Sequence, residues 1–286
     1  MTLIRNLSKI CALALVYAPG SALAQSASDA AAALANPLAS MISVPLTFDY
    51  TQNIGASESG SSLSLTIKPV IPVALGGGWN MISRTVISFS RSDSGVPGEA
   101  KIGGISNINE SLFFSPTPTK LKKDGQPNGW EFIWGIGPII GIPTNKSAYK
   151  KGTGSHNGSP VQGSKDWTLG PTGVFLLAGH GYSIGTLLAQ SWSVGGTEDV
   201  NSLFFQPFFS YTNKESWTFG INTESTYDFN TDTYIAPINL TIQKLVKSND
   251  RLIAYQGGLK YYAKDSPESP KGWGARFQVT FLFPKK

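Results

Sequence analysis

The sequence predicts an all-β fold: a transmembrane up-and-down antiparallel β-barrel of about 12 strands, preceded by a short N-terminal helical segment. Three observations predict it. Period-two alternation of side chains recurs from Met41 to Phe283, in segments longer than the about 5–6 residues of an ordinary strand. The chain opens on an export signal, yet no later segment approaches the about 18 continuous apolar residues of a membrane helix. Tryptophans fall mostly at the ends of the alternating segments, as an interfacial belt requires.

Trp217 to Phe229 shows the pattern most clearly. Trp217, Phe219, Ile221, Tyr227 and Phe229 share one parity; Thr218, Gly220, Asn222, Glu224 and Asp228 share the other. At about 3.3 Å rise and about 40° tilt, such a segment spans roughly 33 Å, enough to cross a bilayer.

Residues 1–24 read as a secretory signal peptide: Arg5 and Lys9, a short apolar run Ile10–Ala18, and the cleavage site Ala22-Leu23-Ala24. The single cysteine, Cys11, lies inside it and lacks a lipoprotein box, so the mature chain can form no disulfide. Without Arg5 and Lys9 the 23 basic residues fall to 21 against 18 acidic, a balance near +3. That is too weak and too dispersed to argue for nucleic acid. An exported chain with membrane-length strands points to the bacterial outer membrane.

Residues 25–40 are alanine-rich. Asp29 is placed to cap a short helix through Ala35, which Asn36-Pro37 ends. The segment is either a loose terminus or a periplasmic plug; residues 41–286 form the barrel.

The strands follow in order. Strand one is 41–53, with Ile42, Val44, Leu46, Phe48 and Tyr50 on one face. Strand two, 61–75, alternates Leu63, Leu65 and Ile67 with Ser64, Thr66 and Lys68. Gly76-Gly77-Gly78 turns into strand three, 79–90, with Arg84 on the polar face. Strand four, 102–115, alternates too weakly to fix the facing of Glu110. Strand five, 130–142, sets Trp130, Phe132, Trp134 and Ile136 opposite Glu131. Strands six and seven, 165–178 and 182–195, join at Gly179-His180-Gly181. Strand eight, 199–213, sets Phe205 and Phe209 against Gln206 and Ser210; strand nine is 217–229. Strands ten, eleven and twelve are 232–246, 251–264 and 271–283.

An even strand number leaves both termini in the periplasm. Short turns follow strands two, six, eight and ten, and the longest connection, 144–164, falls on the outer side; the connection 116–128 is long for a periplasmic turn. Trp79, Trp130 and Trp217 lie at periplasmic ends and Trp167, Trp192 and Trp273 at outer ends; Trp134 alone departs.

Catalysis needs a positioned base, and the two histidines, His156 and His180, fall at opposite ends of the barrel. The expectation is therefore no enzyme, no cofactor and no metal centre. Gly135-x-Gly137-x-x-x-Gly141 has the wrong spacing for a dinucleotide fingerprint and reads as glycines thinning the lumen side of a strand. Lys150-Lys151-Gly152-Thr153-Gly154 is likewise no phosphate loop and reads as a mobile outer loop, with contact to lipopolysaccharide phosphates the lesser alternative.

The polar face is the candidate site. By parity it includes Asp49, Lys68, Arg84, Glu131, Glu224, Asp228, Lys260 and Arg276, with Lys264, Gln206, Gln256 and Gln278. These either line a passage or fill a narrow interior. Strand twelve closes against strand one, which brings Arg276 level with Asp49 and sets Lys260 on Arg276's other side. In a wet lumen such a pair contributes about 0–1 kcal/mol. Phe283 ends the last apolar series, where a barrel presents an aromatic to the assembly machinery. The expected partners are thus outer-membrane lipids, lipopolysaccharide, the barrel-assembly machinery and a small-molecule solute, with no nucleic acid.

Three blocks carry a family resemblance: Leu34-Ala35-Asn36-Pro37 with Ile42-Ser43-Val44-Pro45-Leu46; Gln206-Pro207-Phe208-Phe209-Ser210-Tyr211 with Trp217 to Ser225; and Gly257 to Tyr262 with Trp273-Gly274-Ala275-Arg276-Phe277. The chain resembles the outer-membrane transporters grouped with the MetA-pathway of phenol degradation, some of which are labelled neuromedin U. The resemblance implies a β-barrel and passage of small molecules; the solutes expected here include hydrophobic or aromatic ones. It supplies no catalytic residue. The expected function is passive passage. A non-conducting structural or surface-interaction barrel is the first alternative and a membrane-embedded hydrolase the second.

Overall fold

The computed structural model describes residues 27–55, 58–94, 102–144, 166–196, 199–248, 251–265 and 269–283. The signal peptide, the 150–154 segment, His156 and the last three residues lie outside them.

Among the described residues, one helix, α1 (Ala27–Leu34), precedes sixteen strand segments. These are β1 (Ile42–Ile54), β2 (Gly60–Ile67), β3 (Val70–Gly76), β4 (Trp79–Asp93), β5 (Ile102–Ile105), β6 (Ile108–Pro116), β7 (Thr119–Lys123) and β8 (Gln126–Ile142). They continue as β9 (Thr168–Gly179), β10 (Tyr182–Ser193), β11 (Asn201–Thr212), β12 (Trp217–Thr223), β13 (Ser225–Asp228), β14 (Thr233–Ser248), β15 (Arg251–Lys264) and β16 (Gly272–Phe283). Four segments only extend a neighbour: β3 continues β2, β5 leads into β6, β7 prolongs the β6–β8 connection, and β13 continues β12. Twelve antiparallel staves remain, and β1 pairs with β16 to close the barrel.

Each interrupted stave has a local cause. Pro69 follows Lys68 and offers no N–H to the ladder, so stave two breaks there. Stave nine breaks at Glu224. Pairing of Thr223 with Ile238 and of Thr226 with Ile235 places Pro237 opposite Glu224, and Pro237 again has no N–H to donate.

The connection 116–128 is not a loop. β7 and the start of β8 form a hairpin beyond the barrel rim, turning at Asp124-Gly125 with φ of 51° and 80°. Two successive positive φ angles match the right-handed strand twist, and the Asp-Gly pair tolerates them. His180-Gly181, with φ of 53° and 83°, makes the same kind of turn between β9 and β10. These turns and the start of β1 share one end, the short-turn rim; the longer connections lie at the other.

The exterior is largely apolar, and its exposed aromatics are concentrated towards the strand ends. Trp79 and Trp217 are exposed on the outside near the short-turn rim, and Trp167, Trp192 and Trp273 near the other. Trp130, half-buried, stacks on Tyr182 near the short-turn rim. Trp134 also points outward and meets Trp79 edge-on, with ring centroids 6.0 Å apart.

The interior is packed near the short-turn rim. α1 sits inside the barrel there, its Ala30 and Ala31 fully buried against Met41, Leu245, Leu252, Ala254 and Leu282. Alanine is small enough to let the helix lie close to the wall. The helix starts at Ala27, so Asp29 lies within its first turn and favours the helix dipole rather than capping the end. Asn36 Oδ1 accepts from the Leu38 amide at 2.8 Å and turns the chain towards β1. Leu38 then enters a second apolar cluster with Ile82, Phe113, Ile133, Val174, Leu176 and Leu187.

Candidate functional site: an ion network across the lumen

Above α1, inward-facing positions from five staves converge. In β1, alternation puts Thr47, Asp49 and Thr51 inside and Phe48 and Tyr50 outside. The β1–β16 register pairs Asp49 with Arg276 directly. Arg276 Nε donates to Asp49 Oδ1 at 2.7 Å and Nη2 donates to Oδ2 at 2.8 Å, a two-pronged contact that fits the planar guanidinium. On Arg276's other flank, Lys260 Nζ donates to Asp49 Oδ2 at 3.2 Å.

Glu224 completes the group from farther away. Arg276 Nη2 donates to Glu224 Oε2 at 2.7 Å and Nη1 donates to Oε1 at 3.2 Å. Lys260 stands 3.8 Å from Glu224 Oε2. Lys68 Nζ reaches Glu224 Oε1 at 3.4 Å. In stave order Lys68 and Glu224 are separated by β1, β16, β15 and β14. Their contact therefore crosses the lumen nearly along a diameter.

The network is held away from water. Arg276 and Lys260 side chains are 6% and 7% exposed, Asp49 13% and Glu224 17%. Burying charge at this level is costly unless partners are close and hydrogen-bonded, and here they are. Arg84, inward on β4, faces the same space and feels the Glu224 charge, but among the described residues it donates no hydrogen bond and has no carboxylate within 4.0 Å. Lys68, Arg84, Lys260 and Arg276 against Asp49 and Glu224 leave this region two positive charges in excess.

Between the network and the Leu34–Ala39 segment below lies a chamber of about 250 Å³. Gln243, Gln256, Gln278 and Asn222 line it, with Gln206, Leu187 and Phe208 from β10 and β11 and Val70 and Arg84 from β3 and β4. The lumen is thus filled at two levels, by α1 with Leu38 and by the ion network, with a polar-walled space between them.

The remaining sequence candidates do not join the network. Asp228 has inward parity, but its carboxylate accepts from the Asn230 and Thr231 amides at 2.9 and 3.1 Å and caps the β13–β14 turn. Short polar side chains in turns commonly serve the nearest free amides. Glu131 sits one residue from Trp130 at the short-turn rim and is no part of the chamber lining. Of the glycines in 135–141, Gly135 makes room for an inserted side chain: a Cβ there would lie 3.1 Å from the Leu38 methyl group. Gly137 permits close approach of strands, since its Cβ would overlap the Leu112 carbonyl.

Glu110 faces outward. Ser83 Oγ donates to its Oε1 at 2.6 Å and Thr85 Oγ1 to its Oε2 at 2.5 Å, both from the exterior face of β4. His180 also stays outside the site: its Nε2 lies 3.0 Å from the Asn128 carbonyl oxygen and its ring meets Trp130. Sequence parity found the charged residues but offered no sign that Lys68 and Glu224 meet. No local signal marks that contact, which depends on the staves that face each other across the closed barrel.

No family model matches the chain, and no curated protein matches it. Among solved structures it is similar to an outer membrane channel from Pseudomonas putida F1, at 11% identity and a TM-score of 0.60, over 85% of this chain and 96% of that one. Outer membrane phospholipase A from Escherichia coli follows at 10% identity and a TM-score of 0.45, over 85% and 97% of the two chains. The NanC porin, at 11% identity and 0.43, is aligned over 86% and 100%. At these identities the first likeness shows a shared barrel fold.

Proposed function

We propose that the chain is an outer-membrane barrel for passive passage of small molecules, hydrophobic or aromatic solutes among them, and that it belongs with the transporters of the MetA-pathway of phenol degradation type. The observation that carries this reading is the chamber between α1 and the Arg276 network. A barrel serving only as a wall has no need of a solute-sized, amide-lined space. The apolar exterior with aromatic ends suits outer-membrane lipid, and the signal peptide and Phe283 suit export and delivery to the barrel-assembly machinery. The similarity to an outer membrane channel supports the same reading.

In this reading the resting barrel is shut, and passage follows displacement of the Leu34–Ala39 segment and parting of Lys68 from Glu224. A structural, non-conducting barrel is the second reading, favoured by that same lumen-crossing contact. The test is liposome uptake with a panel of aromatic and aliphatic solutes, using the mature protein and a variant lacking residues 25–39. Uptake that rises on removal of the segment supports passage. Impermeability of both proteins, each folded by heat-modifiable mobility, overturns it.

A further inference from the structure

The chamber's wall is chemically divided. Arg276 uses four hydrogen bonds on Asp49 and Glu224, so its guanidinium is occupied. Arg84 lines the same chamber with its donors uncommitted among the described residues. Among the described residues the Lys68 ammonium has a single contact, at 3.4 Å, and its side chain is 21% exposed, the most accessible cation of the network. A guanidinium inside a barrel wall calls for a counter-ion. Glu224 and Glu110 both act on it through their charge, but neither meets it: Glu110, on the paired strand β6, faces outward with its carboxylate taken by Ser83 and Thr85.

Apolar side chains also reach the chamber. Val70 pairs with Arg84 across β3 and β4, and Val70 and Phe208 both pack on the interior cluster that includes Leu187, on β10 across the barrel from β4. The remaining side carries glutamine amides. The chamber's about 250 Å³ lies just under the about 300–1,000 Å³ of ordinary small-molecule sites, while a cavity of about 150 Å³ already admits benzene in another protein.

We infer that the chamber binds a small organic monocarboxylate with a compact apolar body. The carboxylate takes the free fork of Arg84, with Lys68 beside it, and the body lies against Val70, Leu187 and Phe208. A planar two-oxygen anion matches the guanidinium better than a halide does. The inference rests on the passage reading and adds to it the class of solute.

The test is equilibrium calorimetry on the purified mature barrel in an uncharged detergent, titrated with benzoate, then with benzamide as its uncharged match. Saturable benzoate binding is expected, at least about tenfold tighter than benzamide, since hydrogen bonds to charged groups contribute about 1.5–3 kcal/mol. Arg84→Gln should weaken benzoate by about the same factor and leave benzamide unchanged. Folding of the variant is checked by heat-modifiable mobility, and the benzoate–benzamide comparison on unaltered protein stands if the variant misfolds. Equal binding of the two probes, or no saturable benzoate binding, overturns the inference, as does a folded Arg84→Gln barrel of unchanged affinity. Uptake of neutral solutes without benzoate binding removes this inference alone. Benzoate binding in a barrel that passes nothing removes the passage reading alone.

Discussion

Asp49 and Arg276 meet face to face across the seam where the first strand joins the last, with Nε–Oδ1 and Nη2–Oδ2 contacts of 2.7 and 2.8 Å. The pair is buried, with Arg276 6% exposed, and Arg276 also holds Glu224. The wet pair expected from sequence, contributing about 0–1 kcal/mol, becomes the hub of a largely buried network.

Arg276→Ala takes four hydrogen bonds from Asp49 and Glu224 and leaves them to Lys260 and Lys68. Removing one partner of a buried pair outright costs about 3–5 kcal/mol; with the lysines still in place a smaller cost, and a lower urea midpoint, is expected for the refolded barrel. In planar bilayers the variant should conduct more and prefer cations more than the parent. Unchanged conductance and selectivity in both Arg276→Ala and Asp49→Ala would place the network off the pathway.

Lys68→Ala cuts only the lumen-crossing contact. At 3.4 Å and 21% exposure that contact adds little to stability, on the order of 1 kcal/mol or less. Conductance should therefore rise with little change in unfolding midpoint. A large stability loss with unchanged current would make the contact a strut rather than a gate.

Ile221 points outward on β12 and is 41% exposed, whereas Asn222 points inward and accepts from Asn239 Nδ2 at 2.8 Å. Ile221→Arg should cost roughly 2–4 kcal/mol near the bilayer midplane, and Asn222→Ala about 1 kcal/mol. Refolding into lipid vesicles under urea measures both. Equal losses would contradict the facing.

Glu110 places a carboxylate on the outer wall beside Ser83 and Thr85. Thr85 is six residues above Trp79 on β4, a rise of roughly 15 Å at about 40° tilt, which sets the group near mid-height. Glu110→Leu should leave stability in vesicles unchanged or raise it, because ionisable groups facing hydrocarbon are costly. A loss above about 1 kcal/mol would show that the two hydroxyl contacts outweigh that cost.

Gly135→Val should push Leu38 out of its cluster, since even a Cβ would lie 3.1 Å from it. The expected result is higher conductance and faster protease cleavage of the N-terminal segment. A resistant, silent variant would mean that α1 holds the segment unaided.

Much of this protein is written locally. Strand side chains alternate with period two, so parity assigned Phe219 and Phe277 to one face and Glu224 and Arg276 to the other. An even strand count and chain order bring strand one beside strand twelve, which is why the adjacency of Asp49 and Arg276 was legible. Weak alternation hid Glu110, and the β7–β8 hairpin was hidden because Asp124-Gly125 lay within a stretch too polar to resemble membrane strands. Tertiary structure alone decided the rest. Whether Lys68 reaches Glu224 depends on the barrel's diameter and stagger, which sum small shifts over every stave and appear in no single segment. The closing of α1 over the chamber depends likewise on Leu38 finding the hollow left by Gly135, a contact between positions far apart in the chain and adjacent only once the wall has curved.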